Sequence, residues 1–308
     1  MLEGLFNLLL FPGLAFQIVC GLVFEWVDRK LLARFQRRVG PRWYQPLADL
    51  IKLFSKEDLL PTGVSDWVAT ILPLVSLAAV LTAGLYVPIA GFTPFSFEGD
   101  LIVILFLMGV PTLAYYLAGM SSVGIYSILG GARSLLQYFS YEVPLLLAFS
   151  GPAILSGSWS VTGILDAQAA LGPFILFQPV GFGLAIVGLI GKLKRDPLDI
   201  PKAKSEVVAG SLTEFSGPKL ALWHLVMNIQ AIVGIFLLIN LFFGSPVGAA
   251  PWLRALIFGG EALLLVFVLS AASSIFARLR IDQLAGLGWR VLVPAGILQL
   301  LFVILMGV

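Results

Sequence analysis

The sequence predicts an all-α polytopic membrane protein, and three observations carry that reading. Mean hydropathy is +1.00 over 308 residues, with 59% hydrophobic and only 12% charged residues, far outside the range of soluble domains. Eight apolar runs have about the length that a bilayer core requires of a helix. The bases also concentrate in alternate connections: 18 of the 19 Lys/Arg fall in the odd-numbered loops, and Arg254 alone lies on the other side.

The runs are about Leu5 to Trp26, Trp67 to Ile89, Leu101 to Ala118, Tyr138 to Leu155, Pro173 to Ile190, Leu220 to Phe243, Leu253 to Phe276 and Trp289 to Met306. Pro111 and Pro144 interrupt the third and fourth, which membrane helices tolerate when neighbours satisfy the freed carbonyl. The N-terminal run lacks a basic leader and a small-residue cleavage site, so it reads as a retained helix. By the positive-inside rule both termini lie outside, and the loops at 28–66, 119–137, 191–219 and 277–290 lie in the cytoplasm. Residues 1–308 read as a single membrane domain without repeats. The loops are too short to fold alone, which implies something that covers them.

In the first loop, Leu47, Leu50, Ile51 and Phe54 recur at helical spacing between Pro46 and Lys56, with Asp49, Lys52 and Lys56 opposite. This predicts an amphipathic helix along the interface or under the bundle; a solvated connecting helix is the alternative. The third loop is the other polar passage, with five Lys/Arg and four Asp/Glu between Lys192 and Gly217. One cysteine, Cys20, and one histidine, His224, are too few for an iron-sulfur cluster or a structural zinc site. No redox centre or metal is therefore expected in this chain, and Cys20 and His224 read as core or interface residues.

Glu142 is the sharpest single candidate. It follows a Ser/Tyr-rich segment and enters an apolar helix, where an ionisable group is costly and a functional candidate by default. The alternative is an ion pair with Arg133 or another loop base. Glu25 and Asp28, beside Arg29 and Lys30, read equally well as ion pairs at the membrane surface. Arg34, Arg37, Arg38 and Arg42 suit lipid phosphates, a partner subunit or a quinone-like headgroup, with lipid and partner contact favoured. Ser121, Ser122, Gly130 and Gly131 read as a tight turn.

Three longer passages are more specific. They are WVDRKLLARFQRRVGPRWYQPLADLIKLFSKE at 26–57, GMSSVGIYSILGGARSLLQYFSYEVPL at 119–145, and the series Arg195, Pro197, Asp199, Pro201, Ser205, Glu206, Ala209, Gly210, Glu214 and Gly217. A weaker fourth is ARLRIDQLAGLGWRVLVP at 277–294. Together they resemble the subunit 1 (H-type) family of respiratory complex I over essentially the whole chain. Only Arg42, Trp43 and Tyr44 separate Gly40-Pro41 from Gln45-Pro46, which resembles the membrane-bound hydrogenase and sulfane reductase branch more than the quinone-reducing one. Lys192, Lys202 and Lys204 stand where the family usually carries acids.

The resemblance implies a cofactor-free subunit of an ion-translocating oxidoreductase complex in the cell (inner) membrane. It would dock a peripheral arm of iron-sulfur and large catalytic subunits, whose centres are iron-sulfur clusters with nickel-iron or a related centre, and couple electron transfer to antiporter-like membrane subunits that move protons or sodium. Lipids are further partners and nucleic acid is not. The implied relay candidates are Glu142, Asp199, Glu206, Glu214, Asp28 and Glu25. The implied docking or headgroup candidates are Arg29, Lys30, Arg37, Arg38, Arg42, Arg133, Lys192, Arg195, Lys202 and Lys204. Glu142→Gln is expected to lower coupling with assembly intact. The alternatives are the quinone-binding subunit of an NADH-quinone oxidoreductase and, in another class, a stand-alone transporter or structural anchor.

Overall fold

A computed structural model describes residues 2–244 and 250–306; the side chains of Leu2, Glu3, Lys204 and Ser205 lie outside that description. The helices are α1 (Leu2–Leu9), α2 (Leu14–Phe35), α3 (Gln45–Phe54), α4 (Asp66–Tyr86), α5 (Asp100–Met120), α6 (Ile125–Ser156), α7 (Val161–Leu171), α8 (Pro179–Lys192), α9 (Lys204–Val207), α10 (Gly217–Leu238), α11 (Pro251–Ile275), α12 (Ile281–Leu287) and α13 (Val293–Met306). Among the described residues, seven helical stretches are long and apolar enough to cross a membrane. Their outer faces carry large apolar side chains such as Phe106, Ile125 and Leu305, which suit a surface solvated by lipid rather than water.

The bundle is organised around α10. Most of its length is apolar all round, as suits a helix surrounded by others, with Lys219, His224 and Asn228 falling before Ile229. Trp223 sits at its inner end, 1% exposed, with Tyr115 and Phe215 packed edge to face at ring-centroid distances of 5.9 and 6.3 Å. Such aromatic contacts add to the area term by about 0.5–1.5 kcal/mol each. Helices α4, α5, α6 and α8 pack in series on one side of α10, and α2 and α11 on the other.

Several stretches differ from the sequence expectation. The first run, Leu5 to Trp26, is broken between α1, which ends at Leu9, and α2, which begins at Leu14. The fifth run, Pro173 to Ile190, is a 14-residue helix, α8, preceded by turns. At 1.5 Å per residue it spans about 21 Å, short of a bilayer core. Pro179 opens it at the first helical turn, where a missing N–H is harmless. The loop predicted at 119–137 is helical from Ile125 onward, so α6 has 32 residues and Gly130 and Gly131 are helical rather than part of a turn. Hydropathy reads this stretch as a loop because its buried face is polar or small: Ser127, Gly130, Ser134, Gln137 and Tyr141 recur at helical spacing and all are buried.

That face packs against the 193–216 segment, which buries Leu198, Ile200, Ala203, Val207, Leu212 and Phe215. Much of the long inner loop is thus covered by the chain's own helices. The closest approach is between Gly130 and Gly210, where a Cβ on Gly130 would lie 2.4 Å from the Gly210 Cα; Gly210 itself has φ +62°. Helix α3 forms as expected, with Leu47, Ile51 and Phe54 exposed away from the bundle and Asp49 turned inward to bond Arg29. This arrangement supports the interfacial reading over the solvated one.

Candidate functional site

The centre of the site is one ion pair. Lys192, the last residue of α8, extends its Nζ between both carboxylate oxygens of Glu142 on α6, at 2.7 and 2.8 Å. The side chains are 1% and 8% exposed. The two helices approach this closely because Gly191 has no Cβ, which would sit 2.8 Å from the Tyr141 ring. The Gln137 side-chain amide ties the same turn down by donating to the Gly191 carbonyl at 2.8 Å. Desolvating two charges costs several kcal/mol per ion, and the attraction at low dielectric offsets this only when the geometry is good. The bidentate contact meets that condition. The partner of Glu142 is therefore Lys192, not Arg133, and Lys192 is not an exposed docking charge.

Inward from the pair lies a cavity of about 460 Å³ lined by Glu25, Asp28, Arg29, Lys194, Arg195, Asp199, Lys202, His224 and neighbouring apolar residues. Asp28 is 7% exposed and accepts from Arg195 Nη1 and Ser270 Oγ, both at 2.7 Å. The Arg195 guanidinium also lies 5.0 Å from the centre of the Phe24 ring. Arg29 bridges Glu25 and Asp49, and Asn228 donates to the other Glu25 oxygen. Burial raises the Asp49 carboxyl, but hydrogen bonds from Arg29 and Gln45 outweigh it and hold it below its usual range.

Lys194 and Lys202 are arranged differently. The Lys194 Nζ sits 4.7 Å over the Tyr115 ring and 3.5 Å from Thr112 Oγ1, and Thr112 in turn lies 3.2 Å from the Tyr141 hydroxyl. Burial, reinforced by the fields of Lys202 and Lys192, pushes the Lys194 ammonium well below the usual lysine range. The Lys202 Nζ packs on the Met227 sulfur. Burial pushes its ammonium down to about 8 against the attraction of Asp199.

A groove of about 680 Å³ also runs between α5 and α6, and its lining includes the polar side chains of Tyr138, Glu142 and Ser150. Glu142 therefore lines that groove and acts electrostatically on Lys194, which lines the charged cavity.

The remaining candidates separate from this centre. Glu206 is exposed and held by Arg133 and Arg278; the Arg133 hydrogen bond and the Arg278 charge lower its carboxyl. Glu214 accepts from the Val123 backbone N–H at 3.2 Å. These two acids brace the inner surface and do not join the cavity. Lys30, Arg34, Arg37, Arg38 and Arg42 cluster at the end of α2 and the following turn, with no ion pair among the described residues, beside the exposed Val39 and Trp43. The Lys204 side chain lies outside the described residues. Lys194, Tyr115, Thr112 and Ser270 were not legible as site residues, since their roles depend on contacts across 79 to 242 positions that no local spacing announces.

Comparison with known proteins gives three findings. A family model described as NADH dehydrogenase matches residues 8–304. The H subunit of NADH-quinone oxidoreductase from Dehalococcoides mccartyi (strain CBDB1) is 35% identical over 293 residues, covering 92% of this chain and 82% of the relative; its counterpart from Thermomicrobium roseum is 35% identical over 303 residues, covering 89% and 88%. Among solved structures, a chain from the membrane-bound sulfane sulfur reductase, an archaeal respiratory membrane complex, superposes with a TM-score of 0.86 at 26% identity, covering 94% of this chain and 96% of that one.

Proposed function

The chain belongs to the NADH dehydrogenase family that includes the H subunits of NADH-quinone oxidoreductases, and from that membership we propose that it couples electron transfer in a peripheral arm to ion translocation in the membrane. The observation that carries this reading is the buried Lys192–Glu142 pair, whose carboxylate lines the groove between α5 and α6 and whose charges act on Lys194 in the charged cavity. A change of charge in the cavity alters the balance of that pair at low dielectric, where a single charge shifts neighbouring equilibria by powers of ten. The bases at the end of α2, which form no ion pair among the described residues, make the docking surface for the peripheral arm and lipid headgroups. Iron-sulfur clusters, and any nickel-iron centre, reside in partner subunits, and antiporter-like subunits move the proton or sodium ion.

The sulfane reductase likeness covers nearly all of both chains, and the short turn at Arg42-Trp43-Tyr44 supports that branch. The higher identity to the NADH-quinone oxidoreductase relatives supports the second reading, a quinone-binding role. Electron transfer to an added quinone, blocked by quinone-site inhibitors, separates the two. Purification in mild detergent is expected to bring down a large complex containing iron-sulfur proteins. Isolation of an active monomeric transporter would overturn the reading.

A further inference from the structure

We propose that the apolar groove between α2 and α11 seats one phospholipid of the outer leaflet, opposite the basic loops, with a hydrocarbon chain laid along the groove and the phosphate at Arg254. The groove holds about 430 Å³, and α10 supplies its floor through Ile232, Ile235 and Phe236. No charged or amide side chain lines it. Val23 and Leu263, on its rim, are 52% and 56% exposed, so it opens to the side where lipid is the solvent.

The dimensions fix the occupant. The lining runs from Phe16 to Val27 on α2 and from Ala255 to Val266 on α11. Each stretch is about 16 Å of helix, close to half of the roughly 30 Å hydrocarbon core. An apolar cavity of about 150 Å³ takes benzene, so this groove takes roughly three times that bulk, which is one long chain and not a pair. Inward of Val27 and Val266 the two helices meet: Ser270 donates to Asp28 at 2.7 Å, and the Phe35 and Phe267 rings lie 5.4 Å apart. The chain therefore enters from the outer side.

Depth alone would admit any hydrocarbon, and Arg254 selects the headgroup. It stands one turn outward of Phe258 and continues the row Phe258, Ala262 and Val266 that lines the groove. Helical side chains lean toward the helix N-terminus, which for Arg254 is the headgroup level. Among the described residues Arg254 forms no ion pair, and its Nε is buried without a hydrogen-bond partner. The first turn of α11 holds no acid to answer it. A charged donor in that state calls for an acceptor, and the guanidinium fork matches a phosphate.

At the inner end the tail reaches Phe24 and Val27. The Phe24 ring carries the Arg195 guanidinium at 5.0 Å, and Arg195 lines the charged cavity. The lipid tail thus backs the wall that separates this cavity from the membrane.

The probe is phosphatidylglycerol with a diazirine at the end of one palmitoyl chain, titrated into the delipidated complex in a maltoside detergent. Its phosphate-free counterpart is the diacylglycerol with the same chains. Labelled residues are mapped by peptide mass spectrometry after photolysis. The expected result is saturable labelling of Phe24, Val27 and Val266, with half-saturation about fivefold or more higher for the diacylglycerol. Arg254→Gln should abolish that difference. Gly259→Leu places a side chain in the groove where nothing lies within 4 Å of the glycine's Cβ position. It should cut the labelling by about fivefold or more. Leu305 on α13, exposed and remote, should label in proportion to dose. Labelling of the groove residues in proportion to dose marks ordinary lipid solvation and overturns the proposal. Equal half-saturation of the two probes, a difference that survives Arg254→Gln, or undiminished labelling in Gly259→Leu does the same. The depth map and the probe comparison on the unaltered complex decide the matter if a variant fails to assemble.

Discussion

Glu142→Gln is expected to lower the stability of the membrane domain by about 3–5 kcal/mol, the usual consequence of stripping one partner from a buried ion pair. The loss arises from what remains: Lys192 is 1% exposed and has both of its close contacts on the Glu142 carboxylate. The sequence alone suggested that the amide would leave assembly untouched, and the buried partner revises this. Removing both charges with Glu142→Gln and Lys192→Met should recover most of the stability, because an unpaired charge is no longer buried. Thermal unfolding of the purified complex, followed by loss of its monodisperse elution, provides the double-mutant cycle. Equal stability of the single and double variants would show that Lys192 is indifferent to its partner.

Asp28→Asn should loosen the inner loop more than any change at the surface acids. Asp28 holds Arg195 and Ser270 together and so joins α2, the 193–203 segment and α11 at one atom. An amide there keeps the shape but removes the charge that the partly buried Arg195 answers. A loss of about 2–4 kcal/mol is expected, with amide protection falling first in residues 193–203. Hydrogen exchange followed by mass spectrometry reads this directly. Faster exchange confined to α9, with 193–203 unchanged, would place the anchor at the Glu206 clamp instead.

The spanning helices were legible because hydropathy is a sum over about 20 residues, and Pro111 and Pro144 do not alter that sum. The inner half of α6 was not, since Ser127, Gly130, Ser134 and Gln137 make a buried face that composition scores as loop. Tertiary contact, here the packing of the 193–216 segment, stabilises that helix in place of lipid. Glu142 was legible as a costly charge in an apolar setting, but its partner was not, because Lys192 is 50 positions away on a helix that hydropathy began too early. The relay series of acids was half legible. Glu25, Asp28 and Asp199 do meet around one cavity, whereas Glu206 and Glu214 are held at the inner surface by Arg133, Arg278 and the Val123 amide. Lys194 gave no signal, since a lysine in a basic loop reads as solvated until the fold buries it.

The ratio of ions moved to electrons transferred, measured in sealed vesicles carrying the complex with the Glu142→Gln and Lys192→Met pair, tests the central claim most directly. The double variant keeps the packing and removes only the charges, so electron transfer should persist while the ratio falls to near zero. An unchanged ratio in that variant would contradict the account and leave Lys192–Glu142 as a structural link between α6 and α8.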